Sequence, residues 1–259
     1  MTWPRPSRDL LERTYASREY YAERGMSDGA SYGTSERAVD IVGSVGHRVS
    51  RVLDFGAGEG HLVAAFRSLG LIADGVETSA AARDQARRRY GLELEQAPRL
   101  GAHERYDLIV LQHSLEHVAD PVGVLRQLAG LLDPSGSMII EVPNASSFEM
   151  LRPSRRQSIL DVPVHLYHFT PRTLSEILAA AGLRAARVSL TNPDWLEWLF
   201  GFRAVRRAAD DEDGATSPPG AAPAIHTRSF FGRAWREHVL PAVQRWSPGW
   251  RFRVLAHRA

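Results

Sequence analysis

The sequence predicts an α/β chain organised on a doubly wound, mostly parallel seven-stranded sheet, with a helical cover before the core and an insertion ahead of the last strand. Three observations carry this expectation. Short apolar runs alternate with stretches of helical periodicity, the pattern of successive strand and helix units. The run Val52-Leu53-Asp54-Phe55 ends in the glycine-rich turn Gly56-Ala57-Gly58-Glu59-Gly60, which opens a helix. The next run, Leu71 to Val76, ends in an acid, Glu77.

Taken in order, Ser35 reads as the N-cap of a helix with Ala38, Ile41, Val42 and Val45 on its apolar face. Val52, Leu53 and Phe55 form the first strand, and Leu62, Val63, Phe66 and Leu69 then recur at helical spacing up to Gly70. After the second strand, Thr78 or Ser79 caps a helix that carries the solvated charge cluster Arg83 to Arg89 and stops near Gly91. Leu92 to Leu94 is a short third strand, and Tyr106 to Leu111 is a fourth, apolar enough to be buried on both faces. Asp120-Pro121 opens a helix with Val124, Leu125, Leu128 and Leu131 inward, and Asp133-Pro134-Ser135-Gly136 turns into the fifth strand, Met138 to Val142. Thr170-Pro171 starts a helix with Leu174, Ile177, Leu178 and Ala181 inward, stopping at Gly182. Ala186 to Leu190 and Arg251 to Ala256 complete the set of strands.

The same pattern divides the chain. Residues 1–34, with Tyr15, Tyr20, Tyr21 and Tyr32 among charges and glycines, read as a cover laid over a binding site, and residues 35–191 as the core. Residues 192–247 are a cap or insertion, and 248–259 return the last strand to the core. Within the insertion, about 209–224 is acidic and rich in Pro, Gly and Ala, the composition of a disordered loop. Trp195, Trp198, Trp235, Trp246 and Trp250 flank that loop as candidates for an apolar roof, or for ordinary helix packing.

At 259 residues, 44% hydrophobic and 24% charged, the chain has the make-up of a soluble globule with a sizeable core. No run approaches the ~18 apolar residues of a membrane span, and Met1-Thr2-Trp3-Pro4-Arg5 has no apolar signal region, so the expected location is the cytoplasm, with no membrane partner. Zero cysteines exclude disulfides, thiolate zinc sites and a cysteine nucleophile. The net charge of +2, from scattered arginines with no lysine, gives no reason to expect a nucleic acid partner. A lysine-free, alanine- and arginine-rich composition associates with a GC-rich bacterial genome and a specialised metabolic pathway. It leaves the oligomeric state open.

Glycines 56, 58 and 60 let the backbone approach a ligand closely, and the helix start offers N–H groups to polar or anionic atoms. A dinucleotide fingerprint would read G-x-G-x-x-G/A. Here the third glycine comes one place early and His61 fills the slot, which argues against NAD. Glu77, at the tip of the second strand, is placed to accept hydrogen bonds from both ribose hydroxyls of a nucleoside.

Together, Asp54-x-Gly56-x-Gly58-x-Gly60 and Glu77 resemble the first and second motifs of class I S-adenosylmethionine-dependent methyltransferases, over about residues 35–190. The resemblance implies a Rossmann-like core, S-adenosyl-L-methionine as methyl donor and S-adenosyl-L-homocysteine as product. It assigns cofactor contacts to Asp54, Phe55, Gly56, Gly58, Gly60, His61, Leu62, Glu77, Thr78, Ala97, Gln112 and His113, with Tyr21 or Tyr32 of the cover facing the sulfonium. At Gln96-Ala97-Pro98 many relatives carry an acid near the adenine, and this chain has none.

Methyl transfer from a sulfonium is a direct displacement. The protein must hold the nucleophile ~3–3.5 Å from the methyl carbon and receive its proton. Gln112-His113-Ser114-Leu115-Glu116-His117 falls beyond the carboxyl end of the fourth strand, where ligands of open α/β sheets bind. His113 is one candidate base, the alternative being that it lines the methionine half of the cofactor. The segment Asp161-Val162-Pro163-Val164-His165-Leu166-Tyr167-His168-Phe169-Thr170 resembles the D-x-P-x-H-L-x-x-F-[ST] block of a broad small-molecule methyltransferase family. The resemblance sets this segment beside the acceptor, with His165 as the second candidate base and Tyr167 and His168 shaping the pocket. The alternative is that Pro163 and His165 only fix the loop.

His113-x-x-Glu116-His117 also resembles the E-x-x-E-H metal motif of ubiquinone-pathway O-methyltransferases and small-RNA 3′-terminal 2′-O-methyltransferases, with histidine for the first glutamate. No metal is expected. Were one bound, His113, Glu116 and His117 would hold it, with His165 or His168 as a further ligand. The sequence therefore predicts methylation of a small-molecule oxygen, using S-adenosylmethionine and a histidine general base. The alternatives are an N- or C-methyltransferase, a metal-assisted RNA 2′-O-methyltransferase, and a non-catalytic cofactor-binding partner protein. Intact Gly56, Gly58, Gly60 and Glu77 weigh against the last.

Overall fold

The computed structural model describes residues 34–98, 105–151, 159–190 and 251–259, with the isolated positions 6, 7, 10 and 156. Tyr21 and the rest of the expected cover apart from positions 6, 7, 10 and 34, and the whole insertion at 192–247, lie outside the described residues.

Helix α1 (Thr34–Ser44) leads into strand β1 (Arg51–Phe55), followed by α2 (His61–Ser68), β2 (Ile72–Val76), α3 (Ala80–Tyr90) and β3 (Tyr106–Gln112). Then come α4 (Pro121–Leu131), β4 (Leu132–Pro143), α5 (Pro171–Ala180), β5 (Leu183–Leu190) and β6 (Arg251–Arg258). The strands form one sheet in the order β2-β1-β3-β4-β6-β5. The first four run parallel, and β6 slots antiparallel between β4 and β5. Strand order reverses between β1 and β3, so the crevice for a ligand opens at the carboxyl ends of these two strands.

Six strands, not seven, pair among the described residues. The expected third strand at Leu92–Leu94 is reduced to a single bridge between Val76 and Glu95, closed by Glu95 N–H to Gly75 O and Glu77 N–H to Glu95 O, both 2.9 Å. Leu92 and Leu94 are apolar because they pack on the turn. Leu92 stands where a side chain at Gly60 would be, and Leu94 where one at Gly75 would be.

The helix starts show why these residues fold as they do. Ser79, rather than Thr78, caps α3 by accepting from Ala82 N–H. Asp120 caps α4 ahead of Pro121, and Thr170 forms a reciprocal capping box with Thr173. Helix α1 begins two residues earlier than the Ser35 cap anticipates. On one face of the sheet, Leu53, Ile109, Leu111 and Ile140 pack against Leu125, Leu128, Leu174 and Leu178 of α4 and α5. On the other, Val52, Leu108, Val110 and Ile139 meet Ile41, Val63 and Phe66 of α1 and α2. The adjoining positions on that second face are not apolar at the carboxyl edge, where Asp54 and Glu141 replace the hydrophobic pattern.

Phe66 is fully buried and Val39 is 55% exposed on the same side of the sheet. Phe66→Ala is therefore expected to lower unfolding free energy by about 3–5 kcal/mol, and Val39→Ala to change it by no more than about 0.5 kcal/mol. Denaturant titration of the two variants checks this.

Candidate active site

Strand β1 delivers Asp54 to the carboxyl edge of the sheet, and the glycine turn follows with Gly56, Gly58 and Gly60 all at positive φ. Val76 O accepts both Gly56 N–H (2.8 Å) and Ala57 N–H (2.9 Å), which folds the turn over the end of β2. A Cβ at Gly56 would stand 2.5 Å from Ser114 Cβ, so glycine is what allows the turn to approach the end of β3. Glu77 ties the cradle together. Its Oε2 accepts Gly58 N–H and its Oε1 accepts Ser79 N–H, both at 2.8 Å, leaving further lone pairs for ligand hydroxyls.

The polar atoms beside this cradle are short of partners among the described residues. Within that set, Gln112 Nε2 and Ser114 Oγ are buried with no hydrogen-bond partner. Burial, the largest influence, and the charge of Glu77 push the Asp54 carboxyl from 3.8 up to about 7, against the opposing pull of Arg37. Buried polar groups are normally satisfied, so this set fits a polar ligand that supplies the missing partners. The residues present thus suit a nucleoside cofactor bearing an amino group.

Other expected contacts fall differently. His61 Nδ1 meets Tyr90 Oη at 2.6 Å and Nε2 lies 3.4 Å from Glu59, so its ring is held within the protein. The Leu62 side chain belongs to the core beneath the turn, and Phe55 packs half-buried on the opposite face. The Thr78 carbonyl is taken by Arg83, and Ala97 follows the bridge at Glu95, alongside Glu77.

The histidines gather around Glu116. His113 adopts φ 49°, a left-handed conformation that costs a non-glycine residue about 1–3 kcal/mol. Its N–H bonds Glu141 O at 2.9 Å, and its ring is set between two buried carboxylates, Nδ1 3.4 Å from Glu116 Oε1 and Nε2 3.6 Å from Glu141 Oε1. Burial is the largest single influence and pulls its pKa down, but the two carboxylates together carry it up to about 9.

The 161–170 segment is strapped to the same turn, since Glu116 O accepts Leu166 N–H at 2.8 Å. This brings His165 Nε2 to 4.0 Å from Glu116 Oε1 and 3.7 Å from Asp161 Oδ2. The His165 Nδ1–H donates to Ile159 O at 2.8 Å and the His117 Nδ1–H to Val164 O at 3.2 Å, which fixes both tautomers and makes Nε2 the basic nitrogen of each ring. Burial, the dominant influence, holds both imidazoles below the ordinary histidine range despite the nearby Glu116 charge. His168 donates Nε2–H to Leu160 O at 2.9 Å, and Tyr167 Oη–H bonds Ala119 O at 3.1 Å. Both residues brace the loop.

Ligand atoms of Glu116, His117 and His165 lie within 4.8 Å of one another, and among the described residues the buried Glu116 oxygens have the His113 ion pair but no well-aligned hydrogen bond. A carboxylate and two imidazoles in this arrangement suit a borderline divalent ion such as Zn²⁺ or Mn²⁺. His165 replaces His113 in the expected ligand set.

Sequence reading missed four residues of this edge. Glu141, only 1% exposed, takes an ion pair from Arg37 at Oε1, from Arg251 at 3.4 Å, and from Arg253 at 3.3 Å on Oε2. Burial opposes its ionisation most, yet His113 and the arginines hold it well below the carboxylate range. The one signal in the sequence was an acid interrupting the apolar run Met138 to Val142.

Comparison with known proteins agrees with this geometry. The profile of a family described as a methyltransferase domain matches residues 26–188. The ubiquinone biosynthesis O-methyltransferase of Dinoroseobacter shibae is 29% identical over 169 residues, which is 59% of this chain and 68% of the relative. The protein of the same name from Aeromonas salmonicida is 30% identical over 149 residues, 51% of this chain and 62% of its own length. Among solved structures, a SAM-dependent methyltransferase from Archaeoglobus fulgidus superposes with a TM-score of 0.58 at 16% identity, covering 92% of this chain and 98% of that one, a likeness of fold.

Because the Asp54 pKa is raised on folding, its contribution to stability is complete below about pH 4 and is lost as the pH rises through 7. An asparagine side chain in its place has no proton to lose. The unfolding free energy of Asp54→Asn, relative to the unsubstituted chain, should therefore rise by roughly 2–4 kcal/mol between pH 4 and pH 7.5, measured by denaturant titration across that range.

Proposed function

Because the chain belongs to the methyltransferase domain family and is a class I S-adenosylmethionine-dependent methyltransferase, we propose that it methylates a hydroxyl oxygen of a small-molecule acceptor in a specialised metabolic pathway. The observation that carries this reading is the gathering of His113 and His165 about the buried Glu116, with His113 Nδ1 3.4 Å and His165 Nε2 4.0 Å from its Oε1. The two relatives named as O-methyltransferases support the choice of oxygen.

When bound, S-adenosylmethionine supplies an electrophilic methyl group on a sulfonium. Glu77 receives the ribose hydroxyls while keeping its bonds to Gly58 and Ser79. Asp54 would hold the cofactor's amino group, and Gln112 and Ser114 would give polar contacts that the described residues leave unmade. His165, with Nε2 as its basic nitrogen, would take the proton of the acceptor hydroxyl as the oxygen–methyl bond forms and the methyl–sulfur bond breaks, its electron pair leaving with the neutral thioether. His113, whose two ring nitrogens face the Glu116 and Glu141 carboxylates and whose pKa they raise, is not the base; it holds the two acids together at the edge of the site.

A second reading is favoured by the buried Glu116 carboxylate, whose ligand atom lies within 4.8 Å of those of His117 and His165. A divalent ion held by Glu116, His117 and His165 would acidify a bound hydroxyl, and His165 would then be a ligand rather than a base.

Transfer of a labelled methyl group to a panel of phenols, catechols and amines tests both. Metal-stripped protein is expected to form methyl ethers, and His165→Ala to lower kcat by about 10²–10⁴-fold with the KM for S-adenosylmethionine little changed. Activity that vanishes on stripping and returns with Mn²⁺ or Zn²⁺ selects the second reading. Methylation of amines alone contradicts the oxygen assignment.

A further inference from the structure

Helix α3 carries a cation at the end where its dipole favours anions. Arg83 lies in the first turn, and α3 has no acid there. The arginine is turned back out of the helix, and its Nη1–H groups donate to Glu77 O and to Thr78 O, each at 2.7 Å. Both carbonyls fall between the end of β2 and the Ser79 cap. Among the described residues neither the sheet nor the helix supplies a backbone donor for them, since the first carbonyl that α3 uses is Ser79 O, which accepts Arg83 N–H at 3.1 Å. The side chain of Arg83 meets a need that the backbone leaves open.

The residue held in this way is the acid of the cradle. Glu77 N–H bonds Glu95 O at 2.9 Å, its Oε2 accepts Gly58 N–H and its Oε1 accepts Ser79 N–H, both at 2.8 Å. Thr78 O and Ser79 N–H belong to one peptide group, in which the oxygen and the hydrogen point in opposite directions across a single plane. A guanidinium that holds the Thr78 oxygen therefore aims the Ser79 hydrogen at the Glu77 carboxylate. Both bonds involve a charged partner, the kind that fixes geometry most firmly.

We propose that Arg83 is a positioning residue for the ribose of the cofactor: by holding the peptide groups from Glu77 to Ser79 it sets the Glu77 carboxylate for the two hydroxyls, and so fixes the preference for a ribose over a deoxyribose nucleoside. This rests on the S-adenosylmethionine reading and adds a residue that acts on the cofactor through Glu77. Without the guanidinium the Ser79 peptide can turn and the carboxylate loses its orientation. The glycine turn keeps its two bonds to Val76 O, so the loss falls on the hydroxyl contacts. A site that pairs with a hydroxyl discriminates only as well as its acceptor is held.

The test is calorimetric titration with S-adenosylhomocysteine and with its 2′-deoxyribose analogue. The proteins are the unsubstituted chain, Arg83→Met, which keeps the stem and removes the donors, and Arg83→Lys, which keeps a charged donor on a flexible stem. Arg88→Ala is the control, since Arg88 lies on the exposed side of the same helix and donates to Gln85. The unsubstituted chain is expected to bind S-adenosylhomocysteine about tenfold or more tightly than the analogue. Arg83→Met should weaken S-adenosylhomocysteine by about five- to tenfold and the analogue by less than about twofold. Arg83→Lys should fall between the two, and Arg88→Ala should change neither affinity. Equal weakening of both ligands in Arg83→Met would make the arginine a general support of the fold and overturns the proposal. So does an unchanged preference for the ribose in Arg83→Met, or in Arg83→Lys if the methionine variant does not fold. Failure of the unsubstituted chain to bind S-adenosylhomocysteine at all would instead overturn the methyltransferase reading on which this one stands.

Discussion

The close approach of Gly56 to Ser114 is the contact on which the site depends. With no side chain at Gly56, the turn after β1 can lie against the residue that follows β3, and Val76 O can take two consecutive N–H groups from the turn. The same approach brings Glu77 within reach of Gly58 and puts Asp54, Gln112 and Ser114 around one crevice. A Cβ at position 56 would force these strand ends apart and dismantle the cradle before any ligand arrived. The positive φ of the turn adds a second reason for glycine, since most other residues would be strained there.

Beyond the cradle, the edge is governed by charges held away from water. Glu116 and Glu141 are both buried; burial opposes ionisation of each, yet His113 lowers the pKa of both, joined at Glu141 by Arg37 and Arg251. The isolated cost of burying either carboxylate would be several kcal/mol, so removing a partner is more damaging than the small net worth of the pair suggests. One consequence is chemical. The histidine between the two carboxylates becomes a cation, while two histidines that pack edge to face against each other at 4.8 Å stay neutral. Burial lowers the pKa of all three rings, and the closer approach of two carboxylates, at 3.4 and 3.6 Å against 4.0 and 3.7 Å for His165, outweighs it at His113.

Much of this was legible from residues alone. The strand, glycine turn and acid in register defined the cradle, and Asp120, Thr170 and the prolines after them marked two helix starts. Local rules suffice for such features, because cap and turn are separated by only a few residues. The arginine cluster was not legible, since Arg37 and Glu141 are 104 positions apart and Glu141 and Arg253 are 112 apart. Nothing local announces that an acid in β4 will face the start of β6. Similarly, the alternation at Leu92 and Leu94 reflects packing against Gly60 and Gly75, which a strand pattern cannot distinguish from ladder pairing. The protonation states of His113 and His165 depend on neighbours at 3.4 to 4.0 Å that the sequence spacing brought near but could not orient.

The central claim is that the turn and Glu77 form an S-adenosylmethionine site. Calorimetric titration of metal-stripped protein with S-adenosylhomocysteine, alongside Glu77→Ala and with NAD as the comparison ligand, tests it most directly. The expected result is micromolar binding, about 8 kcal/mol, with NAD silent and the variant weaker by about 10- to 100-fold for the lost charged hydrogen bonds. Absent binding, or an affinity unchanged in Glu77→Ala, would contradict it.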